Sequence, residues 1–210
     1  MKGSELRTRV GLMLIATLLW GAIACSPPPQ ELRASTRYRV PATFADGLLD
    51  ALRDLYGPPA GANRWECDPS AAHPRPVILL HGILGNMADN LSGLSPMLAN
   101  EGYCVFAMNY GGDPLSIFGG VMDIRESALT QFGPFVDRVL AATDAQQVDV
   151  IGHSEGSVMP RYWMKYGPSV APDGTPKVAH MIGVAPASQG ALDAELAERL
   201  RSTEPFKSIQ

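Results

Sequence analysis

Val148-Asp149-Val150-Ile151-Gly152-His153-Ser154-Glu155-Gly156 is the stretch from which the fold is read. A strand-like β-branched run leads into Gly-x-Ser-x-Gly, and a helix-like run follows through Lys165. A serine at such a junction sits on a sharp, strained turn that lifts its hydroxyl above the sheet edge. Glycines two positions to either side let strand and helix pass closely, where larger side chains would collide. Ser154 is therefore the candidate nucleophile, with Gly152, His153 and Gly156 as supporting residues. The pentapeptide is short enough to recur by chance, so its neighbours carry the inference.

Upstream, Val77-Ile78-Leu79-Leu80 is a continuous apolar run of the kind a parallel sheet buries on both faces. Residues 103–109 form the next strand-like run, and 147–151 and 177–184 the later ones. Between them lie helical patterns over 44–56, 87–100, 124–142, the stretch after Ser154, and 191–202. Gly93 and Pro96 are expected to interrupt the second of these, and Gly133-Pro134 to kink or split the third. Strand and helix alternate throughout. That order predicts an α/β fold, a three-layer sandwich whose mostly parallel sheet carries helices on both faces.

Composition narrows the class. The chain has 210 residues, 46% of them hydrophobic and 18% charged, which reads as one soluble globular domain over 43–210. A net charge of −4 and no Lys/Arg-rich run argue against nucleic acid as a partner. No His, Cys or carboxylate cluster has metal-ligand spacing, so neither a metal nor a cofactor is expected. Glycine pairs 111–112 and 119–120 lack a phosphate-loop pattern and read as hinges.

Lys2, Arg7 and Arg9 precede an apolar run of about 15 residues, shorter than the roughly 20 that span a bilayer. Residues 1–24 therefore read as a signal peptide and 25–42 as a proline-punctuated linker. Ala22-Ile23-Ala24-Cys25 also resembles a bacterial lipoprotein signal, so simple secretion and membrane attachment through a lipidated Cys25 both stand. Either location is extracytoplasmic. In an oxidising compartment Cys67 and Cys104 remain as one even pair, and a disulfide between them is expected, two buried free thiols being the alternative.

His81-Gly82-Ile83-Leu84-Gly85 lies at the carboxyl end of an earlier strand, the edge where ligands of open α/β sheets bind. On folds with this elbow, an amide from that loop and the amide after the nucleophile form an oxyanion hole. By position the donors are the backbone N–H groups of Ile83 and Glu155. His81 and Gly82 would order the loop. Leu115, Ile117, Phe118, Val121 and Met122 form either an apolar wall over Ser154 or ordinary packing under a loop.

Pro76-Val77-Ile78-Leu79-Leu80-His81-Gly82, Glu101-Gly102-Tyr103-Cys104-Val105-Phe106 and the elbow itself resemble secreted bacterial class 2 triacylglycerol lipases. Met159-Pro160-Arg161-Tyr162 and Gly183-Val184-Ala185-Pro186 are similar to that family too. The resemblance covers roughly residues 57–190 and implies an α/β-hydrolase fold that hydrolyses carboxylic esters, with acylglycerols as substrates. Two positions depart from it: family members often carry glutamine where Glu155 stands and glycine where Ser157 stands. A carboxylate turned inward beside the oxyanion hole would weaken anion stabilisation, so the Glu155 side chain is expected to point away.

In this fold the triad runs Ser, then Asp or Glu, then His. Only His180 follows Ser154, and its place within a strand predicts that it faces away from the active edge. Asp173 precedes it, while Asp193, Glu195 and Glu198 have no histidine after them. The triad is not completed in the family's order, which leaves a fragment of a longer lipase, a truncated gene or an unrelated substitute base as explanations, and the sheet is expected to lack its C-terminal strands. A strand at 177–184 with an unpaired outer edge would leave residues 25–210 poorly soluble or partly unfolded. The leading function is a serine ester hydrolase on lipid or small esters. Its rival is an inactive truncated hydrolase serving as a surface lipoprotein or binding module, and a transacylase or thioesterase stays open within the enzyme class.

Overall fold

Residues 37–112 and 119–188 are described by the computed structural model. Four strands, β1 (Val77–Leu80), β2 (Val105–Met108), β3 (Val148–His153) and β4 (Val178–Val184), form one sheet in the order β2-β1-β3-β4. All three pairings are parallel. Ile78 stands opposite Phe106 on one side and Val150 on the other, so one register row places three apolar side chains on one face.

Both faces of β1 and β2 are covered because these strands are apolar at odd and even positions alike. Ile78, Leu80, Phe106, Met108, Val148 and Val150 pack against a helical layer holding Phe132, Val136, Val139, Met159 and Trp163. Val77, Leu79, Val105 and Ala107 pack the other way, against Met87 and Leu91. Full burial of each large side chain contributes roughly 1.5–3 kcal/mol. The expected three-layer α/β arrangement is thus the observed one. The expected signal peptide, the Cys25 site and the helix over 191–202 lie outside the described residues.

Local chemistry sets the helix ends. α1 (Phe44–Ala51) starts where the Thr43 side chain accepts from the Asp46 amide. It stops short of the expected residue 56 because Asp54 Oδ1 takes the amides of Tyr56 and Gly57, offering the backbone a turn instead of a helix. The pattern over 87–100 forms two helices, α2 (Met87–Asn90) and α3 (Leu94–Asn100). Asn86 and Asp89 close a capping box on α2. Pro96 does not interrupt α3: it is the third residue, where an N–H would have no intrahelical partner.

The stretch over 124–143 changes hydrogen-bond register rather than breaking. α4 (Ile124–Glu126) runs into a π-helical segment, Ser127–Phe132, and then into α5 (Gly133–Thr143). The wide turn absorbs the donor that Pro134 lacks. Gly133 is bare because a Cβ there would lie 2.4 Å from Trp163 Nε1. Trp163, on α6 (Met159–Tyr166), is fully buried edge-on to Phe132.

The sheet edges differ. The outer edge of β2 is covered by residues 62–63: the Asn63 side-chain amide donates to the Ala107 carbonyl and accepts from the Ala107 amide, both at 2.8 Å. Among the described residues β4 has no strand on its outer side, and Ile182 and Val184 are exposed. At the other end of the chain, Tyr38 exchanges two hydrogen bonds with the Asn100 side chain, at 2.7 and 2.8 Å.

Cys67 and Cys104 are disulfide-bonded, with Cα atoms 5.8 Å apart. The bridge ties the loop before β1 to the residue preceding β2. Beside it Trp65 packs on Phe106 and Phe135 with the Arg138 guanidinium over its ring. Closing a loop with a separation of 37 residues should stabilise the fold by about 3–4 kcal/mol. The double variant Cys67→Ala/Cys104→Ala is expected to lose about that much in denaturant unfolding, and intact mass before and after alkylation should show no free thiol at these two positions in the parent chain.

Candidate active site

Ser154 follows β3 directly and has φ of +50°, in the left-handed region that non-glycine residues rarely occupy. A 3₁₀ turn, Ser154–Ser157, holds it there, with the Ser157 hydroxyl donating to the Ser154 carbonyl at 2.5 Å. The turn is tight enough to forbid side chains at two positions. A Cβ on Gly152 would lie 2.0 Å from the Gly156 carbonyl oxygen, and one on Gly156 would lie 2.4 Å from that of His81.

Leu80 and Gly152 are register partners, so the loop leaving β1 emerges beside the elbow. A Cβ on Gly82 would be 3.1 Å from both Ser154 Cβ and His153 Nδ1. The loop is pinned along its length. Gly82 N donates to Asn90 Oδ1 at 3.1 Å, Gly85 N to the Gly82 carbonyl, and Leu84 N to the Gly119 carbonyl at 2.8 Å. Gly119 N returns a bond to the Gly85 carbonyl. Among the described residues the Ile83 amide has no hydrogen-bond partner.

His81 is fully buried and stacked on Tyr110, with ring centroids 4.4 Å apart. Its Nδ1 is 2.8 Å from the Gly82 carbonyl and its Nε2 3.3 Å from the Tyr110 amide. Those partners require a donor at Nδ1 and an acceptor at Nε2, the neutral Nδ1–H tautomer. Burial lowers the imidazole pKa in the same sense. His153 is also engaged, with Nδ1 2.7 Å from Asn90 Oδ1. Asn90, one residue of α2, thus holds both the loop and the residue before Ser154.

The Glu155 side chain does not point away as expected. It is buried beneath the loop, where a Cβ on Gly120 would meet both Glu155 Oε2 and Ile83 Cα within 3 Å. Tyr110, itself buried, offers the reason: its hydroxyl donates to the His81 carbonyl at 2.8 Å and lies 3.4 Å from Glu155 Oε2. Burial pushes the Glu155 carboxyl up to about 7 and the Tyr110 phenol well above its ordinary range. Asn90 and Tyr110 were missed from the sequence. Neither belongs to a motif, and only folding brings them to the elbow.

His180 is at the other end of the sheet, as its place in β4 predicts. It pairs with Asp149 near the start of β3, Nδ1 to Oδ1 at 2.9 Å, and Arg75 Nε binds the same carboxylate at 3.0 Å. Asp173 sits in an exposed turn, bonded by the Thr175 amide, which lowers its pKa. Neither reaches Ser154. The Val121 and Met122 amides both donate to the Gly111 carbonyl. Leu115, Ile117, Phe118, Asp193, Glu195 and Glu198 lie outside the described residues.

The sequence model of the family described as Lipase (class 2) matches residues 74–203. Curated triacylglycerol lipases of Pseudarthrobacter phenanthrenivorans and Burkholderia plantarii are each 35% identical over 118 residues, covering 52% of this chain. That match covers 35% and 31% of those proteins, so the chain spans about a third of the length of the curated relatives it matches. Among solved structures, a probable hydrolytic enzyme from Pseudomonas aeruginosa PAO1 is 20% identical with a TM-score of 0.39, over 70% of this chain and 43% of that one. A predicted CIB-like hydrolase from Thermoplasma acidophilum is 23% identical with a TM-score of 0.38, over 63% of this chain and 59% of that one.

Two outcomes are expected. Gly156→Ala forces a Cβ against backbone that cannot yield, and should cost roughly 1–3 kcal/mol or more in denaturant unfolding. A buried carboxyl whose pKa is raised from 4.5 to about 7 keeps its proton in the folded state while the unfolded chain releases it. Stability should therefore fall as pH rises from about 4.5 to about 7, by roughly 3 kcal/mol, and Glu155→Gln should remove that slope from the unfolding free energy.

Proposed function

We propose, for a chain that belongs to the class 2 lipase family of the α/β-hydrolase superfamily, that Ser154 is the nucleophile of a carboxylic-ester hydrolase acting on acylglycerols or smaller esters. The observation that carries this reading is the φ of +50° at Ser154, held by two glycines that admit no side chain, at the carboxyl end of a parallel strand. Strain of this kind persists where the surrounding structure over-determines it and clusters at active sites. That the curated relatives are triacylglycerol lipases supports the substrate class.

The geometry supports a division of labour. The Ser154 hydroxyl attacks the ester carbonyl, forming a C–O bond as the carbonyl π electrons move to oxygen. The backbone amides of Ile83 and Glu155 hold that oxyanion, and removing one such donor typically costs roughly two to three orders of magnitude in rate. The alcohol departs, leaving an acyl-serine that water hydrolyses. His81 and His153 are engaged by Gly82, Tyr110 and Asn90, and His180 is on the opposite sheet edge. Among the described residues the reading therefore leaves the base that takes the serine proton unassigned.

The placement of His180 beside Asp149 also favours a second reading, a non-catalytic hydrolase fold acting as a surface lipoprotein or binding module. The Cys67–Cys104 bridge supports an extracytoplasmic location under either, with attachment through Cys25 as part of the proposal.

Fluorophosphonate exposure followed by intact mass separates the two. In a chain of the relatives' full length, the hydrolase reading expects one adduct, lost in Ser154→Ala together with at least roughly 10⁴-fold of esterase activity. Residues 1–210 alone should label far more slowly. A folded full-length chain that takes no adduct, or one that survives Ser154→Ala, would leave the binding-module reading in place.

A further inference from the structure

We propose that Glu155 is a positioning residue as well as the source of a backbone amide: its neutral carboxylic acid donates a hydrogen bond to Tyr110, and this relay holds the oxyanion loop through the His81 carbonyl. The inference rests on the reading of His81–Gly85 as the oxyanion loop.

Counting hydrogens leads to it. Tyr110 Oη is 2.8 Å from the His81 carbonyl and 3.4 Å from Glu155 Oε2. A phenol has one hydrogen to give and can accept others, whereas a backbone carbonyl only accepts. The shorter contact takes the Tyr110 hydrogen. The Glu155 contact then needs a hydrogen from the carboxyl side, which a protonated acid supplies and a carboxylate does not. The order is Glu155 O–H to Tyr110 Oη, and Tyr110 O–H to the His81 carbonyl. Burial of all three residues, and the raised Glu155 pKa, act in the same direction.

Ionising Glu155 reverses the relay. A buried carboxylate draws the phenol hydrogen to itself, because a charged acceptor makes the stronger bond. The His81 carbonyl then loses its donor. That carbonyl sits against Gly156, immediately before the Gly82–Ile83 segment, and Gly120 packs on Glu155 Oε2 and Ile83 Cα together. Loss of the bond therefore loosens the loop where the Ile83 amide must be aimed. Among the described residues, the other titratable groups around the loop are Tyr110 itself, the imidazole of His81 stacked on it, His153 beyond Gly82, and Asp89 in the α2 cap.

Hydrogen–deuterium exchange of residues 81–86 in the 210-residue chain tests the relay without any turnover. After correction for intrinsic exchange, the parent chain should exchange here roughly tenfold faster at pH 8.5 than at pH 5.5, the cost of one buried carbonyl left unpaired. Glu155→Gln, whose amide donates at every pH, and Glu155→Leu, which cannot draw the phenol hydrogen away, should exchange slowly at both pH values, while Tyr110→Phe, which leaves the His81 carbonyl without its donor, should exchange fast at both. A pH profile that persists in Glu155→Gln would belong to the other four groups and overturn the assignment. So would slow exchange at both pH values in folded Tyr110→Phe. Failure of the hydrolase reading is seen separately: absence of the Ser154 adduct with the Gln and Leu variants behaving as stated would leave the relay standing.

Discussion

The close crossing of three backbone segments at Gly152, Gly156 and the His81 carbonyl is the constraint on which the site depends. A methyl group at either glycine would overlap main-chain oxygen, so the 3₁₀ turn after β3 can sit directly against the end of β1. From that contact follow the positive φ of Ser154 and the placement of Gly82 beside it. The elbow and the loop over residues 81–85 are one packed unit because β1 and β3 are adjacent, in-register parallel strands.

Support for that unit comes from side chains on neighbouring elements. Asn90 binds the loop and His153 at once, and Tyr110, just after β2, reaches under both. Each satisfies polar groups that burial would otherwise leave costly. The chemistry therefore stands on a network spanning the ends of three strands, while ion pairing is concentrated elsewhere. Arg75, Asp149 and His180 meet at the opposite end of the sheet, where they join β4 to β3.

The periphery shows a similar division between covered and uncovered surfaces. Residues 62–63 cap β2 with a side-chain amide standing in for a strand, and the disulfide anchors that capping segment. On the other side, Ile182 and Val184 of β4 are exposed, and among the described residues no strand pairs with its outer edge.

Much of this was legible in the sequence. Continuous apolar runs at 77–80 and 105–108 require burial on both faces, and alternation with helices leaves a parallel sheet as the way to achieve it. Gly-x-Ser-x-Gly carries its own steric reason, so Ser154 and its two glycines could be named in advance, as could His180 at the wrong edge and the pairing of Cys67 with Cys104. Helix limits were less legible, since Asp54, Pro96 and Pro134 act through local hydrogen-bond competition that periodicity does not record. What only the tertiary structure decided is the company Ser154 keeps. Asn90, Tyr110 and the inward turn of Glu155 come from three separate elements, and their contacts exist only once the strand ends are side by side. A motif encodes short-range sterics, whereas a buried hydrogen-bond network is set by which distant donors and acceptors packing forces together.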